Sequence, residues 1–374
     1  MYERYEMLKN YRVRDYNFKL VIYVVTLTII GIMAIGSADE FLQNRQLYGF
    51  LTALFLMVVI SLFDYSIILH FYWIIYIVNI ALLLMVLFIG ETVNNAQRWL
   101  ILFDIQFQPS ETAKILLILF YAQFIMKCKD RFNAIQNLVL CVGLFAVPFY
   151  LIFSQPDLST SIIVALIFCV IMYIGGLNWK IIAGIFAIVI PAGLIFLAII
   201  TNPESDLLKQ YQQNRIVAFF DREAYSLAEG YQQENSVMAI GSGQLYGKGY
   251  RNNDLSSVKN ANFIAEQETD FIYAIIGEEF GFIGAAAIII LLLLITIECL
   301  LIARRAKDTA GTIIATAVGS MIGIQGFINI GVATYLLPNT GLPLPFVSYG
   351  LTSLVSVYFG IGFVLNVGLQ REQK

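Results

Sequence analysis

Residues 280–302 read FGFIGAAAIIILLLLITIECLLI, an apolar run in which Glu298 is the only charged side chain. A helix needs about 20 apolar residues to cross the hydrocarbon core of a bilayer, so this run predicts a membrane span. Nine further runs of the same character occur along the chain. The predicted spans are residues 18–38, 46–63, 66–90, 109–126, 138–153, 158–176, 179–200, 280–302, 311–335 and 347–368.

The composition of the whole chain agrees with a bilayer environment. Of the 374 residues, 59% are hydrophobic and 13% are charged, and the mean hydropathy is +0.76. A soluble domain carries about 25% charged residues, so a soluble fold is excluded, as are collagen-like, coiled-coil and disordered chains. We expect an all-α polytopic membrane protein with about ten transmembrane helices. The net charge of −3 gives no sign of nucleic-acid binding.

Positive charge is divided unevenly between the two sides of these spans. Fourteen Lys and Arg residues fall on the side that holds both termini, two fall in short loops on the other side, and six fall in the long segment 201–269. Because short cytoplasmic loops collect Lys and Arg, both termini are predicted to be cytoplasmic. The segment 201–269 is then a large extracellular loop between spans seven and eight, within a single membrane domain of residues 1–374.

The cysteine and histidine content limits the available chemistry. The four cysteines show no CxxC spacing, and the single histidine, His70, lies in an apolar run where we expect a polar packing role. These residues predict neither a disulfide framework nor a zinc site. Mechanisms that need a histidine base are therefore disfavoured.

The run QPSETAK, residues 108–114, begins the fourth span and contains two opposite charges. Pro109 suits the first turn of a helix, and Glu111 lies three residues before Lys114, on the same helix face. An unpaired lysine near the bilayer centre costs about 2.5–3.5 kcal/mol on insertion scales. Either the pair neutralises itself while Lys114 extends to the outer interface, or the pair has a functional role, which we favour.

Acidic residues also precede the eighth span, in the run EQETDFIYAIIGEEFG of residues 266–281. Asp270 falls at the predicted outer edge of the membrane, where burial can raise the pKa of a carboxylate and make it a general base. A helix N-cap is an equally good interpretation of Asp270. Glu278 and Glu279 are either partners of loop cations, which we favour, or weak candidates for ligands of a hard divalent ion.

Glycines surround Lys248 in the long segment. The stretch GSGQLYGKGYR, residues 241–251, fails the GxxxxGK[ST] pattern, because Ser242 and Gly249 stand where glycine and a hydroxyl residue are needed. A glycine-rich turn with Lys248 and Arg251 could still hold a pyrophosphate through backbone N–H groups. A flexible turn is the alternative, and it is slightly favoured.

The run LPNTGLPLPFVSYG, residues 337–350, separates spans nine and ten. Its three prolines exclude a continuous helix, and irregular backbone at membrane depth is tolerated only when it is buried in protein or lines a cavity. We expect a re-entrant turn that shapes a groove toward the outer leaflet.

Together these runs carry a family resemblance. QPSETAK, TDFIYAIIGEEFGFIG and LPNTGLPLPFVSYG, in this order on ten spans, resemble the SEDS family (shape, elongation, division and sporulation), which includes RodA and FtsW. The short tails favour a RodA-like protein. Further matches are Arg98-Trp99, Gln155-Pro156-Asp157-Leu158, Tyr211-Gln212, Arg215-Ile216 and residues 239–243. The sequence departs from the family pattern at Ala265, Glu268, Ser159 and Leu351-Thr352, and these positions do not indicate the elongation, division or sporulation branch of the family.

The resemblance implies a peptidoglycan glycosyltransferase that polymerises lipid II into glycan strands at the outer face of the cytoplasmic membrane, during cell elongation or division. It implies that Asp270 is the catalytic aspartate. Our hypothesis is that Asp270 accepts the proton of the acceptor's GlcNAc 4-hydroxyl as this oxygen attacks the donor MurNAc. Candidates for binding the substrate or stabilising the leaving pyrophosphate are Arg98, Glu111, Lys114, Asp157, Arg215 and Lys248.

The resemblance also bears on cofactors and partners. A divalent cation, Mg²⁺ or Mn²⁺, is a candidate cofactor because it can bridge phosphate oxygens, and no organic cofactor is expected. No SxxK motif accompanied by KTG occurs, so crosslinking needs a separate transpeptidase, and the family implies a class B penicillin-binding protein. Two alternatives stay open: a lipid II transporter that uses Glu111, Lys114 and broken helices, and a noncatalytic scaffold for cell-wall synthesis.

Overall fold

The computed structural model describes residues 16–93, 96–102, 105–155, 157–200, 229–252 and 267–370, together with residues 217, 219, 220, 257 and 264. Most of these residues are helical, so the prediction of a helical fold is confirmed. The principal α-helices, numbered in chain order, are α1 (Phe18–Ala38), α2 (Glu40–Leu62), α3 (Tyr65–His70), α4 (Tyr72–Ile89), α5 (Pro109–Cys128), α6 (Ile135–Ser154), α7 (Leu158–Ile174), α8 (Trp179–Ile200), α9 (Glu229–Ser242), α10 (Ile272–Ala303), α11 (Thr309–Ala333) and α12 (Leu351–Leu369).

The predicted spans coincide with these helices. Nine of the ten match one helix each, and the third matches α3 and α4 together. Among the described residues, seven helices are long and apolar enough to cross a membrane, namely α1, α2, α4, α6, α10, α11 and α12. Helix α7 is a shorter apolar helix of 17 residues, and α5 carries charged residues within its apolar sequence. The chain is a multi-pass membrane protein.

The third span is broken at Phe71. Helix α3 begins after Asp64, whose carboxylate accepts a hydrogen bond from the Ser66 N–H at 2.8 Å. Phe71 has φ −93° and ψ 24°, outside the helical region, and separates α3 from α4. His70 ends α3 with an exposed side chain, and its ring packs edge-on against that of Phe71, with the centroids 5.6 Å apart, so this histidine packs at the surface of the bundle.

A small sheet that the sequence analysis did not predict connects α4 to α5. Its strands β1 (Glu91–Val93), β2 (Ala96–Leu102) and β3 (Ile105–Phe107) pair antiparallel in that order. Two of the strands have three residues each, which is too short for an alternating pattern to be recognised. The sheet places Arg98 beside the loop before α7, where its Nε donates a hydrogen bond to the Gln155 carbonyl at 3.3 Å.

Contacts between loops fit the predicted alternation of the spans across the membrane. Lys307, after α10, lies 4.0 Å from Asp64 and 3.1 Å from Ser66, both at the start of α3. It also contacts Gln370, just after α12. All four residues belong to the predicted cytoplasmic side. Burial alone would raise the pKa of Asp64, but hydrogen bonds from Ser66 and Gln370 and the charge of Lys307 lower that pKa below its usual value.

Helix α5 lies at the centre of the bundle. It is buried along most of its length and packs against α4, α7, α11 and α12. By contrast, α2, α4 and α6 expose large apolar side chains such as Phe55, Ile77 and Val139, as expected where helices face lipid. The central position of α5 explains why it can carry Glu111 and Lys114, since charged side chains in a membrane helix face the protein interior.

Helix α10 is interrupted at Gly281. This residue has φ +64° and ψ −161°, a conformation that glycine adopts far more readily than other residues. The break frees the carbonyls of Glu278 and Glu279, which accept hydrogen bonds from the backbone N–H groups of Lys248 at 2.9 Å and Gly249 at 3.1 Å. The interrupted helix is therefore completed by another segment of the chain.

That segment is the glycine-rich turn, residues 243–249. The carbonyls of Gln244 and Leu245 accept hydrogen bonds from the N–H groups of Phe282 at 2.8 Å and Ile283 at 3.3 Å. The approach is so close that a Cβ on Gly243 would lie 1.9 Å from the carbonyl oxygen of residue 277. The glycines of this turn thus permit backbone packing against α10.

The long segment between α8 and α10 is described only in part. Residues 201–216, 218, 221–228, 253–256, 258–263 and 265–266 lie outside the described residues. Helix α9 packs on α10 and α11, and Gln233 donates hydrogen bonds to the carbonyls of Val332 and Leu337, both at 2.9 Å. This part of the predicted loop is therefore docked on the helix bundle.

Candidate functional site

A charged pair lies on the first two turns of α5. The Nζ of Lys114 is 2.8 Å from Oε1 of Glu111, and the two side chains are only 1% and 3% exposed. The Lys114 ammonium also donates to Oε1 of Gln325 on α11 at 3.0 Å. Lys114 therefore points into the protein and does not extend to the interface. The second Glu111 oxygen, Oε2, is buried without a hydrogen-bond partner among the described residues.

A second polar cluster surrounds Asp157 at the start of α7. Its Oδ1 accepts a hydrogen bond from the Thr160 N–H at 3.1 Å, which makes Asp157 the N-cap of the helix. Its Oδ2 accepts from Nε2 of Gln108 at 3.2 Å and from the Ser110 hydroxyl at 3.3 Å. Arg98 approaches from the sheet, with Nη1 3.8 Å from Oδ1. Asp157 thus connects the beginnings of α5 and α7 to the sheet.

Asp270 lies in the turn 267–270, immediately before α10, and is partly buried. The N-cap position of α10 is Phe271, which makes no side-chain capping hydrogen bond. The backbone carbonyl of Asp270 accepts a hydrogen bond from Nδ2 of Asn329 on α11 at 2.8 Å. The N-cap interpretation of Asp270 is therefore not the one observed.

The segment between α11 and α12, which we call the proline loop (residues 337–350), connects these groups. Gln325, which binds Lys114, donates through Nε2 to the Pro343 carbonyl at 2.9 Å. Asn329, which binds the Asp270 carbonyl, also donates to the Leu342 carbonyl at 2.6 Å. Because Gln325 and Asn329 are four residues apart, they share one face of α11. One helix face thus links the Glu111–Lys114 pair and the Asp270 turn to the proline loop.

The proline loop is buried in protein, as irregular backbone at membrane depth requires. Leu342, Leu344, Phe346 and Val347 are each 3% exposed or less. Phe346 adopts φ +68°, a strained conformation for a bulky residue that persists only when its surroundings fix it. The loop is therefore a fixed part of the bundle interior.

Lys248 occupies a different position from the residues around α5. Its Nζ is 2.7 Å from Oε1 of Glu278, beside the break in α10, and its backbone N–H is bound to the Glu278 carbonyl. Glu279 accepts a hydrogen bond from the Ser37 hydroxyl. Ion pairing is thus the observed arrangement for Glu278. The Lys248 and Gly249 N–H groups, which the phosphate interpretation needed, are bonded to α10.

Two of the predicted features have no described geometry of their own. Arg215 lies outside the described residues. Within the described part of the chain, no three His, Cys, Asp or Glu side chains gather where they could hold a metal ion, and the candidate divalent cation stays a prediction.

Two amides that were not predicted as site residues, Gln325 and Asn329, organise this region. Both are buried, with 0% and 1% exposure. The available signal was a pair of uncharged polar residues at i and i+4 spacing within the apolar ninth span, a pattern that marks one polar helix face.

The fold and site define a helical, multi-pass membrane protein with a buried charged pair and an aspartate turn joined by one irregular loop. The chain matches the FtsW, RodA and SpoVE family of cell cycle proteins over residues 16–373. It is 36% identical over 299 residues to the peptidoglycan glycosyltransferase MrdB of Escherichia coli strain K12, across 79% of this chain and 77% of that protein.

Two further likenesses extend over nearly the whole chain. The probable peptidoglycan glycosyltransferase FtsW of Bacillus subtilis strain 168 is 30% identical over 389 aligned positions, across 97% of this chain and 93% of that protein. A solved chain from a study of structural coordination of polymerization and crosslinking by a peptidoglycan synthase complex has a TM-score of 0.78 and 26% identity, covering 96% of this chain and 99% of that one. The protein belongs to the FtsW/RodA/SpoVE family, and the SEDS resemblance is confirmed.

Proposed function

We propose that this protein is a peptidoglycan glycosyltransferase that polymerises lipid II at the outer face of the cytoplasmic membrane. Membership of a family whose relatives are named as peptidoglycan glycosyltransferases supports the reaction class. The observation that carries the assignment of a catalytic group is the partly buried Asp270, on a turn fixed to the bundle interior. A carboxylate at such a place is suited to general-base catalysis.

In this proposal Asp270 removes the proton from the 4-hydroxyl of the acceptor GlcNAc. The hydroxyl oxygen forms the new glycosidic bond to the anomeric carbon of the donor MurNAc, and the bond from that carbon to undecaprenyl pyrophosphate breaks. Negative charge then grows on the pyrophosphate, and positive groups fixed near it lower the barrier. A divalent cation, when bound, would neutralise part of that charge.

Three of the candidate cations, Arg98, Lys114 and Lys248, are among the described residues. They differ in how well each could stabilise the leaving pyrophosphate. Lys114 is 1% exposed and bound to Glu111 at 2.8 Å, and Lys248 is bound to Glu278 at 2.7 Å. Arg98 lies 3.8 Å from Asp157, and its side chain is 24% exposed. Arg98 is the only guanidinium of the three, and its paired N–H donors match phosphate oxygens better than a lysine ammonium does. Lys114 therefore helps to shape the site through its ion pair, and Arg98 stabilises the negative charge of the leaving pyrophosphate.

The orientation and the partner belong to the same proposal. The uneven distribution of Lys and Arg supports cytoplasmic termini and an extracellular segment 201–269. The similarity to a chain of a peptidoglycan synthase complex supports a crosslinking partner, which we propose is a class B penicillin-binding protein. The glycan strands that this protein makes would serve cell elongation or division.

A transporter of lipid II is the second candidate, since a buried charged pair and an interrupted helix occur together here. The deciding experiment incubates the purified wild-type protein and its transpeptidase with lipid II, with Mg²⁺, Mn²⁺ or a chelator, and separates the glycan products by size. The proposal predicts glycan chains. Movement of lipid II across vesicle membranes without any chains would contradict it and favour the transporter.

A further inference from the structure

The turn that carries Asp270 is held by three consecutive backbone carbonyls. The carbonyl of Glu268 accepts a hydrogen bond from the Tyr349 N–H at 2.9 Å. The carbonyl of Thr269 accepts one from the Ser348 hydroxyl at 2.6 Å, and that of Asp270 accepts one from Asn329 at 2.8 Å. The donors come from the proline loop and from α11. The backbone of this turn is thus fixed at each residue from 268 to 270.

The amide orientation of Asn329 follows from its partners. Both groups that it contacts through Nδ2, the carbonyls of Asp270 and Leu342, can only accept hydrogen bonds. The side chain is 1% exposed, so loss of its N–H donors would leave two carbonyls without these partners in the bundle interior. Asn329 therefore fixes the Asp270 turn against the proline loop.

Ser348 is itself held from two sides. Its Oγ accepts a hydrogen bond from the Leu344 N–H at 2.7 Å while donating to the Thr269 carbonyl. Its own carbonyl accepts from Nε2 of Gln46 on α2 at 3.2 Å, and Gln46 is fully buried. The hydroxyl is therefore directed at the Asp270 turn by a rigid neighbourhood.

We propose that Asn329 and Ser348 are positioning residues for Asp270. This inference rests on the proposed function, in which Asp270 is the general base. Neither side chain needs to contact substrate, because each acts on the backbone that presents the carboxylate. A displacement of about 1 Å at a reacting group can lower a rate about 100-fold. Removal of either donor should therefore slow the chemical step while substrate affinity is preserved.

The test compares Ser348→Ala with Ser61→Ala in a lipid II polymerisation assay. Ser61 is a matched control, because it is also buried and its hydroxyl also has two partners: it donates to the Val58 carbonyl at 2.8 Å and lies 3.1 Å from the Tyr16 hydroxyl. We expect Ser348→Ala to lower kcat about 10- to 100-fold with KM changed less than twofold, and Ser61→Ala to leave both near the wild-type values. Ser348→Thr, which keeps the hydroxyl, should recover most of the rate.

Asn329→Leu is the second variant, since it keeps the side-chain volume and removes the donor. Thermal unfolding in detergent identifies variants that fold. A variant that folds and keeps the wild-type kcat would overturn the role of its residue. A loss of kcat no larger for Ser348→Ala than for Ser61→Ala would overturn the role of Ser348.

The same substitutions in an Asp270→Asn background separate this inference from the proposed function. If the donors act through Asp270, they should add little to the loss that Asp270→Asn already causes, because residues that act as a unit are non-additive. An equal fold-loss in both backgrounds would overturn the positioning role and leave the proposed function intact. A near wild-type rate for Asp270→Asn alone would overturn both.

Discussion

Lys114 and Glu111 form an ion pair of 2.8 Å in the bundle interior, and Lys114 extends the contact to Gln325, 211 residues further along the chain. The pair thus joins α5 to α11 and, through Gln325, to the proline loop. Its position explains how one membrane helix can carry two opposite charges. It also predicts that the two residues are coupled energetically.

Removing one partner of the pair should harm the protein more than removing both. Glu111→Gln leaves a buried ammonium, and Lys114→Met leaves a buried carboxylate, and each such change destabilises a protein by about 3–5 kcal/mol. We expect the double variant to lose less thermal stability than the two single variants lose together. Additive effects in this double-mutant cycle, measured by thermal unfolding, would show that the residues act independently.

Two glycines of α9 and the following turn make a matched comparison of backbone packing. A Cβ on Gly243 would lie 1.9 Å from the Gly277 carbonyl, whereas a Cβ on Gly241 meets nothing within 4 Å. Gly243→Ala should destabilise the protein by about 1–3 kcal/mol through overpacking. Gly241→Ala, within the helix, should be neutral or stabilise by about 0.5–1 kcal/mol. Equal melting temperatures for the two variants would refute the close contact between the glycine-rich turn and α10.

Asp157 has two separable roles, as an N-cap and as a negative charge near Arg98. Asparagine caps helices about as well as aspartate, so Asp157→Asn should keep the cap but lose the ion pair with Arg98 and the oxygen that accepts from the Gln108 amide. Asp157→Ala should also lose the cap, at about 0.5–2 kcal/mol. We expect slower glycan synthesis from Asp157→Asn, at a melting temperature above that of Asp157→Ala. Full activity of this variant would restrict Asp157 to capping α7.

The proposed topology places Tyr246 outside the cell and Lys129 inside. Tyr246 is 78% exposed, and Lys129 is exposed in the loop between α5 and α6. In a background without the four native cysteines, a cysteine at position 246 should react with a membrane-impermeant reagent on intact cells. A cysteine at position 129 should react only after the cells are opened. The reverse pattern would invert the topology.

The helices could be predicted because each apolar run is long enough to span a bilayer, and Pro109 marked the beginning of α5. The contact between Glu111 and Lys114 could also be predicted, because residues three apart share a helix face. The break at Gly281 could not, because a glycine within an apolar run does not reveal its backbone angles. The break is stabilised by the glycine-rich turn, whose backbone groups pair with those that the break leaves free in α10.

The residues that contact Lys114 and Asp270 could not be predicted from nearby sequence. Lys114 contacts Gln325, and Asp270 contacts Asn329, across separations of 211 and 59 residues. No periodicity connects such positions, because helix packing sets these contacts. In the glycine-rich turn, by contrast, the local sequence suggested a role that tertiary packing does not support. Its composition fitted a phosphate loop loosely, but tertiary packing commits its Lys248 and Gly249 N–H groups to α10.

The most direct test of Asp270 as the general base of lipid II polymerisation is the rate of glycan synthesis by Asp270→Asn. Glu268→Gln is the matched control, because it removes a carboxylate from the same turn. Loss of a general base lowers a rate about 10²- to 10⁴-fold, so Asp270→Asn should lose activity to that extent while Glu268→Gln stays within about threefold of wild type. Glycan synthesis by folded Asp270→Asn at the wild-type rate would contradict the account.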